Sequence, residues 1–184
     1  MPGPAAREAV DIADEDPRLK ERYGKTRIGQ SCLLARRLVE AGVKYVTYED
    51  FEVSEWDLHG PSGGGLNTED GMKLKGPHLD AALGTLIEDL EDRGLLDRVL
   101  IAVYGEFGRT PRLNGTGGRD HWGDLFNAMF IGGGLRAGQV VGASNSRGEY
   151  PTERPVGPED ILATMYHTVG IDASRAFVDY TGRP

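Results

Sequence analysis

At 184 residues, with 39% hydrophobic and 27% charged side chains, the chain has the length and composition of one globular domain with a real core. A formal net charge of -8 excludes non-specific nucleic-acid binding, which needs a basic surface to displace counterions. A single cysteine, Cys32, excludes an internal disulfide and a thiolate metal cluster, and no apolar run approaches the ~20 residues needed to cross a bilayer.

The opening residues, Met1-Pro-Gly-Pro-Ala-Ala-Arg-Glu-Ala-Val10, lack an apolar signal core, so the sequence shows no export signal of its own. Residues 1–25 mix Pro, Asp, Glu, Arg and Lys with little periodicity and read as a loose N-terminal segment, with at most a short helix around Pro17 to Tyr23. From Ile28 the pattern turns helical. Ile28, Cys32, Ala35, Leu38 and Val39 share a face, with Arg36, Arg37 and Glu40 pointing away, and Cys32 reads as core packing. Gly42 ends this helix, followed by an apolar Val43 as a Schellman contact requires. Val43-Lys-Tyr-Val-Thr-Tyr-Glu49, rich in β-branched and aromatic residues, reads as a strand.

Residues 50–76 form a long polar loop holding Trp56-Asp-Leu-His-Gly60 and a glycine run at 63–65; loops this long are usually functional or disordered. Gly76-Pro77 opens a second helix, with Pro at N1, and Leu79, Leu83, Leu86, Ile87 and Leu90 form its apolar stripe. Gly94 stops it, again before an apolar residue, Leu95. Arg98 to Tyr104 is a near-continuous apolar strand, the sign of burial on both faces. Phe126 to Ile131 reads as a third strand, and Gln139-Val-Val141 as a short one after a glycine-rich turn. Gly157-Pro158 starts a last helix, with Ile161, Leu162, Met165, Tyr166 and Val169 on its apolar face, and the tail from Ile171 is irregular.

Helices alternating with apolar strands predict an α/β fold, a mostly parallel sheet flanked by helices. Parallel strands end on one side. The loops after Glu49 and Tyr104 then share an edge, where Asp57, His59, Glu106, Asp120 and His121 converge.

Several of these residues carry chemistry. Asp57 and His59 lie two apart, so in an extended segment both face one side, and their oxygen and nitrogen suit a divalent metal. The plain alternative is a solvated acid and histidine on a surface loop. Glu106 directly follows a buried strand and either joins the metal site or pairs with Arg109. Arg109 and Arg112 flank Thr110-Pro111, and either guanidinium suits a phosphate or sulfate. In Arg119-Asp-His-Trp122, His121 is a candidate ligand oriented by Asp120. His78 and His167 lie on helices and read as structural. Neither Ser62 nor Thr110 follows a strand as an activated nucleophile usually does, and no Gly-x-Ser-x-Gly elbow, P-loop or dinucleotide fingerprint is present.

The segments Gly29–Gly42, Trp56–Gly60, Gly105–Pro111 and Gly118–Trp122, with the turn at 132–134 and the closing Asp179-Tyr-Thr-Gly-Arg-Pro184, resemble the bacterial family labelled domain of unknown function 1501. That family is placed in the alkaline-phosphatase-like superfamily beside sulfatases, phosphodiesterases and phosphoglycerate mutases. The resemblance implies hydrolysis or transfer of phosphate or sulfate esters at one or two metal ions. It implies Asp57, His59 and His121 as ligands of one metal, and Glu106 at a strand end where relatives carry an aspartate, usually followed by histidine. Phe107 stands in that histidine's place. Longer relatives resemble this sequence only over their C-terminal half and are commonly exported. The resemblance thus implies an incomplete alkaline-phosphatase-like core over residues 26–184, with the nucleophile in an absent N-terminal half.

The expected function is therefore a metal-dependent hydrolase-type domain, weakly active alone, with Asp57, His59, Glu106 and His121 on the metal and Arg109 as catalytic anion clamp. Zinc is the leading cofactor, with manganese, iron or calcium as other candidates. The expected partners are a small phosphate or sulfate ester and the absent half, with neither nucleic acid nor membrane. The rival is a non-catalytic binding or structural domain that keeps the fold, favoured by Phe107 and the unassigned nucleophile.

Overall fold

The computed structural model describes residues 4–49, 56–61 and 65–183. Four helices come first: α1 (Pro4–Ala9), α2 (Pro17–Tyr23), α3 (Arg27–Glu40) and the long α4 (Thr68–Asp92). A 3-10 turn (Leu96–Arg98) leads into β1 (Leu100–Tyr104), then β2 (Gly108–Arg109), β3 (His121–Trp122), β4 (Ala128–Gly132), β5 (Ala143–Ser144), β6 (Pro151–Glu153) and α5 (Pro158–Thr168). No helix among the described residues is long and apolar enough to cross a membrane.

Local sequence signals set the helix ends. After α3, α4 and α5 the chain closes with the same pair of bonds. Val43 N–H donates to the Leu38 carbonyl, Leu95 to Leu90 and Ile171 to Tyr166, while Gly42, Gly94 and Gly170 donate to Val39, Glu91 and His167. These are Schellman endings, with the glycine in the left-handed conformation. The start of α4 differs from the sequence expectation. Asn67 caps it, its side chain accepting from the Asp70 N–H at 2.8 Å, and Glu69 and Asp70 complement the helix dipole. Pro77 therefore lies inside the helix, where one ladder bond is lost.

The core joins Tyr23, Leu33, Leu86 and Leu90, with Ile12, Leu19, Cys32, Leu95, Leu96, Val99 and Ile101 packed against it. Cys32 packs as expected, and burial pushes its thiol up to about 11. Residues 4–23 carry two helices, α2 falling at Pro17 to Tyr23 where the sequence allowed a short one, and Tyr23 is fully buried. The inward stripe of α3 is Gly29, Leu33 and Arg36 rather than the face expected from its apolar residues.

Arg36, only 2% exposed, explains that rotation. Its guanidinium reaches the carboxylates of Glu15 and Glu40, and its Nε lies 2.9 Å from Asp89. The Tyr23 hydroxyl donates to Asp89 at 2.9 Å, and Arg93 bonds both Asp89 (2.7 Å) and Glu40 (2.8 Å). Arg37 closes the set on Glu15 at 2.9 Å. Three guanidinium groups meet three carboxylates, so a charge normally kept in water is neutralised inside. Burial raises the Glu15 carboxyl, but the hydrogen bonds from Arg37 and Arg36 outweigh this and bring it down to about 2.

The strands correct the predicted sheet. β1 pairs antiparallel with β4, from Leu100 opposite Gly132 to Tyr104 opposite Ala128. The other pairs, β2 with β3 and β5 with β6, are antiparallel too, and each sheet has two strands. A parallel pair needs a crossover, usually a helix, and the chain between β1 and β4 contains none. The mostly parallel, helix-flanked α/β sheet is therefore overturned. Residues 43–49, expected as a strand, form no ladder, and Val140, in the expected strand at 139–141, is 95% exposed.

Replacing Arg36 with Met leaves Glu15 to Arg37 and Asp89 to Arg93, so that three carboxylates share two guanidinium groups, and should cost about 3–5 kcal/mol in urea unfolding. A loss below about 1 kcal/mol would show that the network does not hold the helices. The Glu15 carboxyl is lowered in the folded chain from 4.5 to about 2, so its contribution is complete above pH 4.5 and lost as pH falls through about 2. Between those limits the melting temperature of the wild type should fall more steeply than that of Glu15→Gln.

Candidate metal centre

Three of the predicted ligands meet. The ligand atoms of Asp57, His59 and His121 all lie within 4.8 Å of one another. His59 Nε2 is 2.9 Å from Asp57 Oδ1 and 3.0 Å from His121 Nε2, and His121 Nε2 is 3.5 Å from Asp57 Oδ1. Tetrahedral zinc with bonds of about 2.0–2.1 Å sets neighbouring ligand atoms roughly 3.3 Å apart. The triangle has that size.

The fold brings these residues together by means other than a parallel sheet edge. Leu58, between Asp57 and His59, is buried against Gly71 near the start of α4. A Cβ on Gly71 would come within 2.0 Å of the Leu58 side chain, so only glycine allows this approach. Burying Leu58 leaves both neighbours on the opposite, open side. His121 is the first residue of β3 and stands directly opposite Arg109 of β2, so their side chains share one face of the ribbon. The ribbon's loop is then sewn to the Asp57 segment. Arg119 N–H donates to the Leu58 carbonyl at 2.9 Å, and a Cβ on Gly118 would meet the His59 backbone at 2.1 Å.

Hydrogen bonding decides what the imidazoles present. His59 Nδ1 lies 3.1 Å from Asp120 Oδ1. The sequence expectation gave Asp120 to His121, but the carboxylate serves His59. A proton donated from Nδ1 to Asp120 leaves Nε2 with its lone pair, which faces the Asp57 carboxylate. Two acceptors 2.9 Å apart require a cation or a proton between them. The donor set thus fits a divalent ion, with Asp57, His59 and His121 holding it.

Asp57 is also bonded by Arg109, whose Nη1 is 2.8 Å from Oδ1. Partial burial raises the Asp57 carboxyl, but the Arg109 hydrogen bond and neighbouring positive charge outweigh this and hold it below its ordinary range. Hydrogen bonds from Asn114 and His59 likewise hold Asp120 low. Both are carboxylates at neutral pH, as metal binding and ring orientation require.

Glu106 is not brought into the cluster. Its exposed carboxylate lies 3.9 Å from Arg109 Nη2, the pairing that its position also allowed. Phe107 packs against the His121 ring with centroids 4.2 Å apart and the planes tilted by 45°, and the Arg109 guanidinium carbon lies 5.7 Å from the Phe107 centroid. The phenyl ring thus fixes a ligand's orientation. Arg112 is exposed, and its carbonyl accepts from the Thr110 hydroxyl. His78 and His167 are exposed on α4 and α5, and Ser62 lies outside the described residues. Sequence reasoning missed Asn114, whose side chain bonds both halves of the site. An Asn-Gly pair closing a short loop was its available signal.

Asp120→Asn keeps the shape but puts an amide beside His59 Nδ1, and should weaken zinc binding about 10–100-fold by calorimetric titration. Unchanged affinity would remove Asp120 from the site.

No curated protein and no solved structure matches this chain. The family model described as "Protein of unknown function (DUF1501)" matches residues 3–184, a span that includes every residue of the Asp57, His59 and His121 cluster. The chain belongs to that family.

Proposed function

We propose that the chain is a metal-dependent hydrolase-type domain for phosphate or sulfate esters. The observation that carries this reading is the three-ligand triangle, with one carboxylate and two imidazoles. Three protein ligands are the pattern of a catalytic rather than a structural site, because a further coordination position stays free. His59, at 26% side-chain exposure, is the anchored member, while Asp57 at 50% and His121 at 53% stay accessible to a small molecule. A bound divalent ion would polarise the ester oxygen and neutralise charge that develops in the transition state.

The chain's own groups supply the rest. Arg109 orients Asp57 and adds a fixed positive charge beside the triangle, which suits a tetrahedral anion. The choice of phosphate or sulfate esters draws on the motif resemblance described above. Turnover by this chain alone is expected to be slow, because the hydroxyl nearest the motif is already committed. Thr110 Oγ1 donates to the Arg112 carbonyl and accepts from the Asp120 N–H.

That engaged hydroxyl also favours a second reading, a binding or structural domain in which the ion only holds the loops together. Metal analysis, chelation and turnover of aryl phosphate and aryl sulfate separate the two. The hydrolase reading expects zinc, manganese, iron or calcium in the purified protein and slow turnover that His121→Ala reduces to background. Bound metal without turnover supports the second reading. Absence of metal, with a melting temperature indifferent to chelator and to added zinc, defeats both.

A further inference from the structure

We propose that Asn114 is a positioning residue for the metal centre, selecting the ring nitrogen that His59 offers to the metal by holding Asp120 and the His59 backbone in one hydrogen-bonded unit. This rests on the metal reading above.

The amide's orientation is fixed by its partners. Asn114 Oδ1 lies 3.0 Å from the N–H groups of both Thr116 and Gly118, which can only donate, and 2.9 Å from the Thr116 hydroxyl. The Nδ2 group must therefore face the other way. There it meets two groups that only accept: the His59 carbonyl at 2.9 Å and Asp120 Oδ1 at 3.1 Å. One side chain thus donates to the backbone of a ligand and to the carboxylate that orients that ligand's ring.

The consequence is a relay. The Asn114 amide helps keep Asp120 ionised and aims Oδ1 at His59 Nδ1, 3.1 Å away. Nδ1 then carries the ring proton, and Nε2 turns its lone pair to the point shared by Asp57 and His121. At the same time the bond to the His59 carbonyl holds the backbone from which the ring projects. The single Thr116 hydroxyl proton is divided between Asn114 Oδ1 at 2.9 Å and that carbonyl at 3.2 Å, so it adds to the backbone hold only in part. Thr110 holds the Asp120 backbone, while the amide that bonds its carboxylate is that of Asn114.

Asn114→Asp separates the two functions. The new side chain is isosteric and keeps an acceptor for Thr116 and Gly118, but sets a carboxylate oxygen against Asp120 and the His59 carbonyl. Nitrogen NMR of the histidine rings, on metal-free protein about two units above the ordinary imidazole value of about 6.5, reads which nitrogen carries the proton. The wild type should show His59 protonated at Nδ1. The folded variant should move that proton toward Nε2 and bind zinc about 10–100-fold more weakly. An unchanged His59 ring in a folded variant overturns the proposal, even if zinc binding weakens, because that pattern belongs to a merely structural loop. Should the variant fail to fold, the wild-type ring decides: His59 protonated at Nδ1 supports the relay, and His59 protonated at Nε2 refutes it. A wild type that binds no zinc, with the proton shift still seen in the variant, defeats the metal reading while supporting the relay.

Discussion

The buried Arg36 guanidinium is the constraint on which the helical part of this protein depends. It sits among Glu15, Glu40 and Asp89, and those acids come from the segment before α2, from α3 and from α4. Removing a guanidinium from water costs several kcal/mol, and only the assembled arrangement offsets it. The helices must therefore meet in one register. Tyr23 and Arg93 add bonds to Asp89 and leave the carboxylate little freedom to serve another arrangement.

Helix α4 carries that constraint to the candidate site. Its 25 residues span about 37 Å, with Asp89 near one end and Gly71 near the other. Asp89 ties it into the ion network, and Gly71 receives Leu58 between Asp57 and His59. The β2–β3 ribbon then presents His121 from the other side, steadied by Phe107 and aligned opposite Arg109. The cluster is thus built from a helix-docked segment and a small ribbon, joined to each other through Arg109 on Asp57 and Asn114 on the His59 backbone.

What could be read from sequence divides along the reach of the interactions. The endings at Gly42, Gly94 and Gly170 were legible, because a Schellman closure involves only six neighbouring residues. The start of α4 was not, since Gly76-Pro77 imitates a helix opening while Asn67 and its acidic first turn do the capping nine residues earlier. The burial of Arg36 was hidden because its partner Asp89 is remote and periodicity counts every arginine as outward-facing. The meeting of Asp57, His59 and His121 was anticipated from a parallel sheet, whereas the described residues form only antiparallel pairs. The residue types suited a metal whatever the scaffold, and the actual scaffold is a ribbon pairing that no local pattern reveals. Glu106, whose position allowed either the metal or Arg109, lies beside Arg109, because a place at a strand end does not fix which way the following loop turns.

The sequence separation within the triangle has a further meaning. His59 and His121 stand 62 residues apart, with all of α4 and β1 between them. An extended chain keeps only the Asp57 and His59 pair, a weak two-point chelator. The third ligand arrives when α4 has docked and the ribbon has closed. A cation gripped by all three would thus act as a clasp across a loop of that length, and the loop-closure entropy would already have been met by folding. Ligand geometry here is a late product of tertiary structure, so the occupancy of the cluster would report on the integrity of elements that never touch it.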